Sequence, residues 1–257
     1  MQTTAAGNKQ NSSFLPMMII GGLFFIFGFI TWLNGALVPF LQIVCDLNEI
    51  QAILIASTFY FAYVVMALPM AKVVDVIGYR KSMSVGLGFI SLGCLVYIPA
   101  AQAQSFALFL VAQFILGTGL TLLQTASNPY IVKIGPEETA AVRISIMGIL
   151  NKLAGVVAPM IFTALVLGDF GDVTAKSIAD LAEAERVLKI TALADGLIYP
   201  YLFMALALAI LAAAILKSGL PELNLNQVDQ NNDPQATSQK SLMAFPHLIL
   251  GAATLFV

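Results

Sequence analysis

Residues 116–130 read Leu-Gly-Thr-Gly-Leu-Thr-Leu-Leu-Gln-Thr-Ala-Ser-Asn-Pro-Tyr, an apolar stretch that carries an ordered row of uncharged polar side chains. These side chains recur three or four residues apart, at Thr118, Thr121, Gln124, Thr125 and Asn128. On a helix this spacing places them on roughly one face. Because polar groups in hydrocarbon are costly without partners or water, we expect this face to line a protein interior or a cavity.

The composition of the whole 257-residue chain agrees with a membrane environment. Hydrophobic residues make up 59% of the chain and charged residues 10%, whereas an ordinary soluble domain carries about 25% charged residues. Uncharged runs of the length needed for spans of about 20 residues recur along the chain. They predict an all-α membrane protein with six spans and the beginning of a seventh, the six spans being 15–43, 51–74, 82–99, 106–131, 144–167 and 197–216.

Several classes of function find no support in the sequence. The two cysteines, Cys45 and Cys94, are too few to suggest a disulfide framework. No nucleic-acid signal, phosphate-cradling loop, metal-ligand cluster or nucleophile triad is present. We therefore expect neither an enzyme nor a cofactor.

The placement of the basic residues predicts an orientation in the membrane. With the N-terminus in the cytoplasm, nine of the twelve Lys and Arg residues fall on inward segments, which obeys the positive-inside rule. The outer loop 169–195 holds six acidic residues and a helix-like segment, 176–190, which we interpret as a solvated surface helix.

The composition also changes sharply after the sixth span. Residues 218–241 are rich in Asn, Asp, Gln, Ser and Pro, which is typical of a flexible linker. We therefore divide the chain into a six-helix bundle (1–217), a cytoplasmic linker (218–241) and the start of a seventh helix (242–257). This layout is expected where one half of a two-bundle transporter ends and the second begins.

The inward loop 71–81 resembles the loop motif of the major facilitator superfamily, Gly-x-x-x-Asp-Arg-x-Gly-Arg-Lys/Arg. Asp75, Gly78 and Arg80 are in register with that motif, and Lys81 follows one place beyond. Ala71, Val76 and Tyr79 depart from it. The resemblance implies that Asp75, Gly78, Arg80 and Lys81 form a conformational gate that biases the outward-facing state.

Two longer segments narrow the resemblance. They are Phe-Phe-Ile-Phe-Gly-Phe-Ile-Thr-Trp-Leu-Asn-Gly-Ala-Leu-Val-Pro at 24–39 and Leu-Leu-Gln-Thr-Ala-Ser-Asn-Pro-Tyr at 122–130, supported by residues 143–152. They are similar to the fucose-proton symporter family, and most of all to its glucose/galactose transporter branch. The resemblance implies a sugar permease of the bacterial inner membrane with twelve spans in two bundles, of which this chain supplies the first.

One departure from that family concerns proton coupling. The family's first-span and fourth-span motifs each carry a membrane carboxylate in the fucose permease, and the matching residues here are Gly35 and Gln124. All 14 acidic residues lie in loops or at span ends. We therefore expect no proton relay within this half, which leaves coupling to sodium, coupling to protons through the second half, or no coupling.

The polar residues within the spans supply the candidate substrate site. Hexoses present hydroxyls that donate and accept, which amides match, and an apolar ring face that an aromatic side chain covers. The candidate substrate-binding residues are Asn34, Gln124, Asn128, Asn151, Lys152 and Trp32, with Tyr60 and Tyr63 as further candidates. Alternative interpretations are hydrogen bonding between helices for Asn34 and Asn128, a lipid contact for Trp32, and snorkelling for Lys152.

The function expected from these features is secondary active transport of a glucose- or galactose-type hexose by alternating access. The partners implied are a monosaccharide, the lipid bilayer, a coupling ion (sodium or proton) and a second six-helix half. Two alternatives stay open: a half-size transporter that dimerises, and a sugar-binding membrane receptor that does not transport.

Overall fold

The computed structural model describes residues 5–164, 178 and 181–222, with side chains from residue 15 onward. The described residues all belong to one compact unit, residues 1–223. The rest of the predicted linker, from residue 223, and the predicted start of a seventh helix lie outside the described residues.

The described part of the chain is helical almost throughout, as predicted. Its α-helices are α1 (Ala5–Val44), α2 (Glu49–Ile77), α3 (Tyr79–Gln102), α4 (Phe106–Lys133), α5 (Ala140–Phe162), α6 (Glu183–Gly196) and α7 (Ile198–Lys217). A short 3₁₀ helix, Glu137–Thr139, precedes α5. Six helices are long and apolar enough to cross a membrane when α6 and α7 are counted together, so the prediction of six spans is confirmed.

Local chemistry defines where several helices begin. Asn48 caps α2 by accepting from the Gln51 backbone N–H at 2.8 Å, while the Gln51 side chain accepts from the Asn48 N–H at 3.1 Å. This reciprocal capping box satisfies two donors that a helix start otherwise leaves free. Gly78 joins α2 to α3 with a φ of 82°, a backbone conformation that residues other than glycine rarely adopt.

Helix α4 is the most buried span because two neighbours pack closely on it. A side chain at Gly117 would meet the Phe59 carbonyl of α2 at 2.5 Å. A side chain at Gly119 would meet the Gly86 carbonyl of α3 at 2.7 Å. The two glycines therefore let α4 lie against both helices.

The sixth span continues beyond the membrane-length segment. Leu197 has helical dihedral angles and joins α6 to α7, so the helix from Glu183 to Lys217 comprises 35 residues. At 1.5 Å per residue this is about 52 Å, more than the roughly 30 Å of hydrocarbon in a bilayer. The helix predicted at 176–190 as a separate surface element is instead described from Glu183 and leads directly into the sixth span.

Among the residues that the structure describes, two ion pairs lie at opposite ends of the bundle. Arg186 of α6 pairs with Asp46 of the α1–α2 turn, Nη2 to Oδ2 at 3.0 Å. Arg80 at the start of α3 lies 3.5 Å from Glu222, which follows α7. The connections of the described residues thus alternate between the two ends, as a chain that crosses a membrane repeatedly requires.

Candidate functional site

The hydroxyls in the polar row of α4, and that of the neighbouring Ser127, bond within their own helix. Thr118, Thr121, Thr125 and Ser127 each donate to the carbonyl four residues earlier, at 2.7 to 2.8 Å. These hydroxyls need no partner from another helix. The amide side chains of the row, Gln124 and Asn128, are the groups left for contacts elsewhere: Gln124 is half-buried and Asn128 is exposed.

Gln124 is held toward α2. Its Nε2 donates to the hydroxyl of Tyr63 at 3.3 Å, and the Thr31 side chain of α1 lies beside the same hydroxyl. The Tyr63 hydroxyl therefore lies where α1, α2 and α4 meet. The sequence singled out Tyr63 only as a possible cavity residue and gave no sign of this contact.

Trp32 of α1 and Lys152 of α5 make a second contact between candidate residues. We call the accessible or half-buried candidates Trp32, Gln124, Asn128, Asn151 and Lys152 the candidate wall. The Lys152 ammonium lies 5.6 Å from the centroid of the Trp32 ring, within the range of a cation–π contact. Trp32 is 45% exposed. It passes over Gly155, where an added Cβ would meet the indole Nε1 at 2.7 Å. One face of α1 and α5 therefore presents an accessible aromatic surface next to a positive charge.

Asn151 joins α5 to α1. Its Nδ2 donates to the Phe24 carbonyl at 3.2 Å, and the side chain is half-buried. This bond uses one of the two amide N–H groups and leaves further hydrogen-bonding capacity on the side chain.

Asn34 lies apart from this wall, inside the bundle. It is 6% exposed and accepts a hydrogen bond from the Gln113 side chain of α4. It also lines a small internal cavity with Tyr97 and Tyr201. The structure thus does not bring Asn34 together with Gln124 and Lys152, and its bond agrees with the alternative of a contact between helices. Gln113 was not among the residues predicted from the sequence, although an amide within the apolar run 106–131 is a visible signal.

The predicted gate residues lie at the end of the bundle where α3 begins. Arg80 donates through Nη1 to the Ser218 carbonyl at 3.3 Å and faces Glu222. A side chain at Gly78 would meet the Glu222 carboxylate at 2.9 Å. Asp75 and Lys81 are exposed. Gly78 and Arg80 therefore belong to one contact cluster with Glu222, a residue that the sequence analysis did not name.

Residues 218–222, expected as the first part of a flexible linker, pack on the bundle. Leu220 is only 2% exposed. The Tyr130 hydroxyl of α4 donates to the Pro221 carbonyl at 3.0 Å. The composition of 218–241 as a whole, rich in Asn, Asp, Gln, Ser and Pro, predicted a flexible linker, but one buried leucine and three polar contacts hold residues 218–222 against the bundle.

Arg143 is a buried charged residue whose structural role was not predicted from the sequence. Its guanidinium donates to the carbonyls of Ile131, Val132, Gly135 and Pro136 at 2.8 to 3.4 Å and to the Thr139 hydroxyl at 2.6 Å. A positive charge at the carboxyl end of α4 also complements the helix dipole. Arg143 therefore holds the α4–α5 turn in shape.

Within the described ranges, no group of His, Cys, Asp and Glu side chains is arranged to hold a metal ion. The chemistry of the wall is that of amides, an indole and one ammonium. Such groups bind polar neutral molecules through hydrogen bonds and a stacked ring.

Comparison with known proteins places the chain among transporters. The model of the Major Facilitator Superfamily matches residues 20–256. The chain is 38% identical to the glucose/galactose transporter of Brucella abortus over 99% of its own length and 57% of that protein. It is 26% identical to the L-fucose-proton symporter of Escherichia coli over 90% of its length and 52% of that protein.

Solved structures give the same picture. A crystal structure of a variant of the E. coli fucose:proton symporter FucP matches 82% of this chain and 51% of its own, with 26% identity and a TM-score of 0.72. A structure of FucP in the outward conformation matches 86% and 53%, with 27% identity and a TM-score of 0.73. The predicted fold, the six-helix half of a major facilitator transporter, is confirmed.

The chain spans about half the length of the curated relatives it matches. The six membrane-length helices in the described part of the chain, the likeness to one half of FucP and the family match over residues 20–256 agree with one another. The chain therefore belongs to the Major Facilitator Superfamily.

Proposed function

We propose that this chain is the first six-helix bundle of a permease that carries a hexose of the glucose or galactose type across a membrane. The observation that carries the proposal is the 38% identity, over 99% of this chain, to a protein named as a glucose/galactose transporter. Transport proceeds by alternating access around a site between this bundle and a second one.

The sugar contacts the wall formed by α1, α4 and α5. The exposed part of the Trp32 ring covers an apolar face of the sugar, and Lys152 donates to its oxygens. Gln124 and Asn128 exchange hydrogen bonds with its hydroxyls, and Asn151 contributes its remaining amide capacity. The half-buried or exposed positions of these side chains support the assignment. Asn34, which is bonded to Gln113 inside the bundle, holds α1 against α4 instead.

The gate is the cluster at the start of α3. Arg80 and Gly78, packed against Glu222, fasten the segment that follows α7 to the α2–α3 turn. Asp75 and Lys81 are exposed in this bundle and face the second bundle in the complete protein. Fastening this end of the bundle favours the outward-facing state of the transport cycle.

The complete protein is a multi-pass protein of the bacterial inner membrane with its N-terminus in the cytoplasm. The excess of Lys and Arg in alternate loops supports this orientation. Transport is symport with a proton or with sodium. Because the acidic residues of this half lie in loops and at span ends, the second half supplies the coupling group.

Uptake of labelled D-glucose and D-galactose into proteoliposomes that contain the full-length protein tests the proposal. We expect saturable uptake that falls when Trp32 or Gln124 is changed to Ala. Collapsing the sodium and proton gradients separately identifies the coupling ion. Specific sugar binding without uptake would favour a receptor instead, and uptake by purified residues 1–257 alone would favour a half-size dimer.

A further inference from the structure

The contact between α2 and α4 brings a tyrosine to the candidate sugar wall. Gly117 has no side chain, and the carbonyl of Phe59 occupies the space that a Cβ there would need. Tyr63 lies one turn beyond Phe59, and Gln124 lies two turns beyond Gly117 in the same direction along the bundle. The close approach therefore places the Tyr63 hydroxyl within reach of the Gln124 amide.

The Tyr63 hydroxyl is fixed in position on more than one side. Its ring packs against Phe59 with centroids 5.6 Å apart. Thr31 of α1 lies beside the hydroxyl, and Gln124 donates to it through Nε2 at 3.3 Å. A phenol placed in this way restricts the rotation of the amide that bonds to it.

Tyr60 provides a natural comparison. It lies three residues earlier on the same helix and also packs edge-on against Phe59, with centroids 5.3 Å apart. Its side chain is 55% exposed, whereas Tyr63 is half-buried. The two tyrosines thus share a helix and a neighbouring ring, and Gln124 bonds to Tyr63.

We propose that Tyr63 is a positioning residue that sets the orientation of the Gln124 amide and so the hydroxyl preference of the site. The inference rests on the proposed function, in which Gln124 contacts the sugar. Because the Gln124 nitrogen donates to Tyr63, the Gln124 carbonyl oxygen is the atom that can accept a hydrogen bond from the sugar. An acceptor in a fixed position selects a sugar that carries a hydroxyl donor at one particular carbon.

Competition by deoxy sugars tests this assignment. Uptake of labelled D-glucose by the full-length protein is measured against 2-, 3-, 4- and 6-deoxyglucose for wild type, Tyr63→Phe, Gln124→Ala and the double variant. We expect Tyr63→Phe to weaken glucose affinity roughly threefold to tenfold, the range of a hydrogen bond between membrane helices. Tyr63→Phe should lose discrimination between glucose and the deoxy sugar modified at one carbon, the same carbon as in Gln124→Ala. The double variant should show the same affinities as Gln124→Ala alone.

Two further variants sharpen the test. Tyr199→Phe, at an exposed tyrosine of α7 that has no assigned role in the site, is the control and should leave affinity and discrimination unchanged. Gln124→Asn keeps an amide but shortens it by one methylene, so it should lose discrimination at the same carbon even if Tyr63→Phe does not fold. Equal weakening for every deoxy sugar, or additive effects in the double variant, would overturn the positioning role.

A readout without sugar separates this inference from the proposed function. The thermal unfolding of Tyr63→Phe, Gln124→Ala and the double variant forms a double-mutant cycle. We expect the two effects to be non-additive, and strict additivity would overturn the Tyr63–Gln124 contact. If the cycle is non-additive but the wild type takes up neither hexose, the proposed substrate is wrong while the contact stands.

Discussion

The ammonium of Lys152 lies over the ring of Trp32, 5.6 Å from its centroid. Lys152 lies well inside the fifth span, and the Trp32 ring is the partner that the structure gives its ammonium. A cation over an aromatic face is stabilised by the ring's quadrupole, and the contact is stronger where water is excluded. The indole can pack on α5 because Gly155 has no side chain to occupy the same space.

The first prediction concerns that glycine. Gly155→Ala should displace the indole, because the new Cβ would lie 2.7 Å from Nε1. Trp32 is the only tryptophan of the 257 residues, so the fluorescence emission of this chain reports its environment directly. We expect a shifted emission maximum and, in the full-length protein, at least a threefold rise in the KM for hexose.

Gly148→Ala, on the same helix, is the matched control. A Cβ at position 148 meets nothing within 4 Å, so fluorescence and uptake should not change. Identical emission spectra for Gly155→Ala and wild type would contradict the packing of Trp32 on α5.

The second prediction concerns Gly78, at the start of the gate cluster. Gly78→Ala should destabilise the protein by about 1 to 3 kcal/mol, since its φ of 82° and ψ of 169° suit glycine almost exclusively. The new Cβ would also press on the Glu222 carboxylate. Thermal unfolding in detergent measures the effect.

Gly219→Ala serves as its control, because a Cβ there meets nothing within 4 Å. It should shift the melting temperature by less than Gly78→Ala. Equal shifts for the two variants would show that the α2–α3 turn is not constrained in the way described.

The third prediction concerns Arg143. Arg143→Lys should destabilise the α4–α5 turn by roughly 2 kcal/mol or more, because an ammonium cannot reach four carbonyls and a hydroxyl together and leaves buried acceptors without donors. Thermal unfolding and protease cleavage near residue 136 report the change. Arg80→Lys is the control and should destabilise the protein less. Arg80 is less buried, and its ion pair with Glu222 is partly exposed, where such pairs contribute about 1 kcal/mol or less.

The fourth prediction concerns the reactivity of Cys45, which follows α1. Burial raises the pKa of its thiol from 9.0 to about 12, because the charged thiolate loses water. Maleimides react with the thiolate, so at pH 7.5 Cys45 should react much more slowly than an unperturbed thiol. The rate should rise with pH between 7 and 8.5, as the thiolate fraction grows.

A cysteine introduced at the exposed Ala103, in a Cys45→Ser background, is the comparison. It should label rapidly at pH 7.5. Equally fast labelling at both positions would contradict the burial of Cys45.

The sequence predicted the spans well and their mutual contacts poorly. Hydropathy is a property of each segment alone, and it located all six membrane-length helices of the described residues. Trp32 and Asn34 are only two residues apart, yet the helix turns them to different surroundings, one accessible and one bonded to Gln113. The sequence pattern of α1 does not show which of its faces α4 covers. That depends on contacts such as the one between Asn34 and Gln113, which are 79 positions apart.

The same reason accounts for the segment after α7. Its composition is that of a linker, and the sequence carries no local sign that Leu220 finds a buried position or that Arg80 faces Glu222. These contacts depend on the α2–α3 turn, whose shape follows from Gly78. The family resemblance pointed to Gly78 and Arg80, and the structure supplies their partner.

The self-bonded hydroxyls of α4 affect how the bundle can move. Toward their neighbours these threonines and the serine offer mainly hydrocarbon, because their donors already point at their own helix. Among the described spans, side-chain hydrogen bonds tie α4 to its neighbours at three places: Gln113 to α1, Gln124 to α2, and the Arg143 guanidinium of α5 to carbonyls at the carboxyl end of α4. Along most of its length α4 can therefore shift against α1 and α2 by breaking only the two amide hydrogen bonds, whereas its carboxyl end stays fastened to α5 through Arg143.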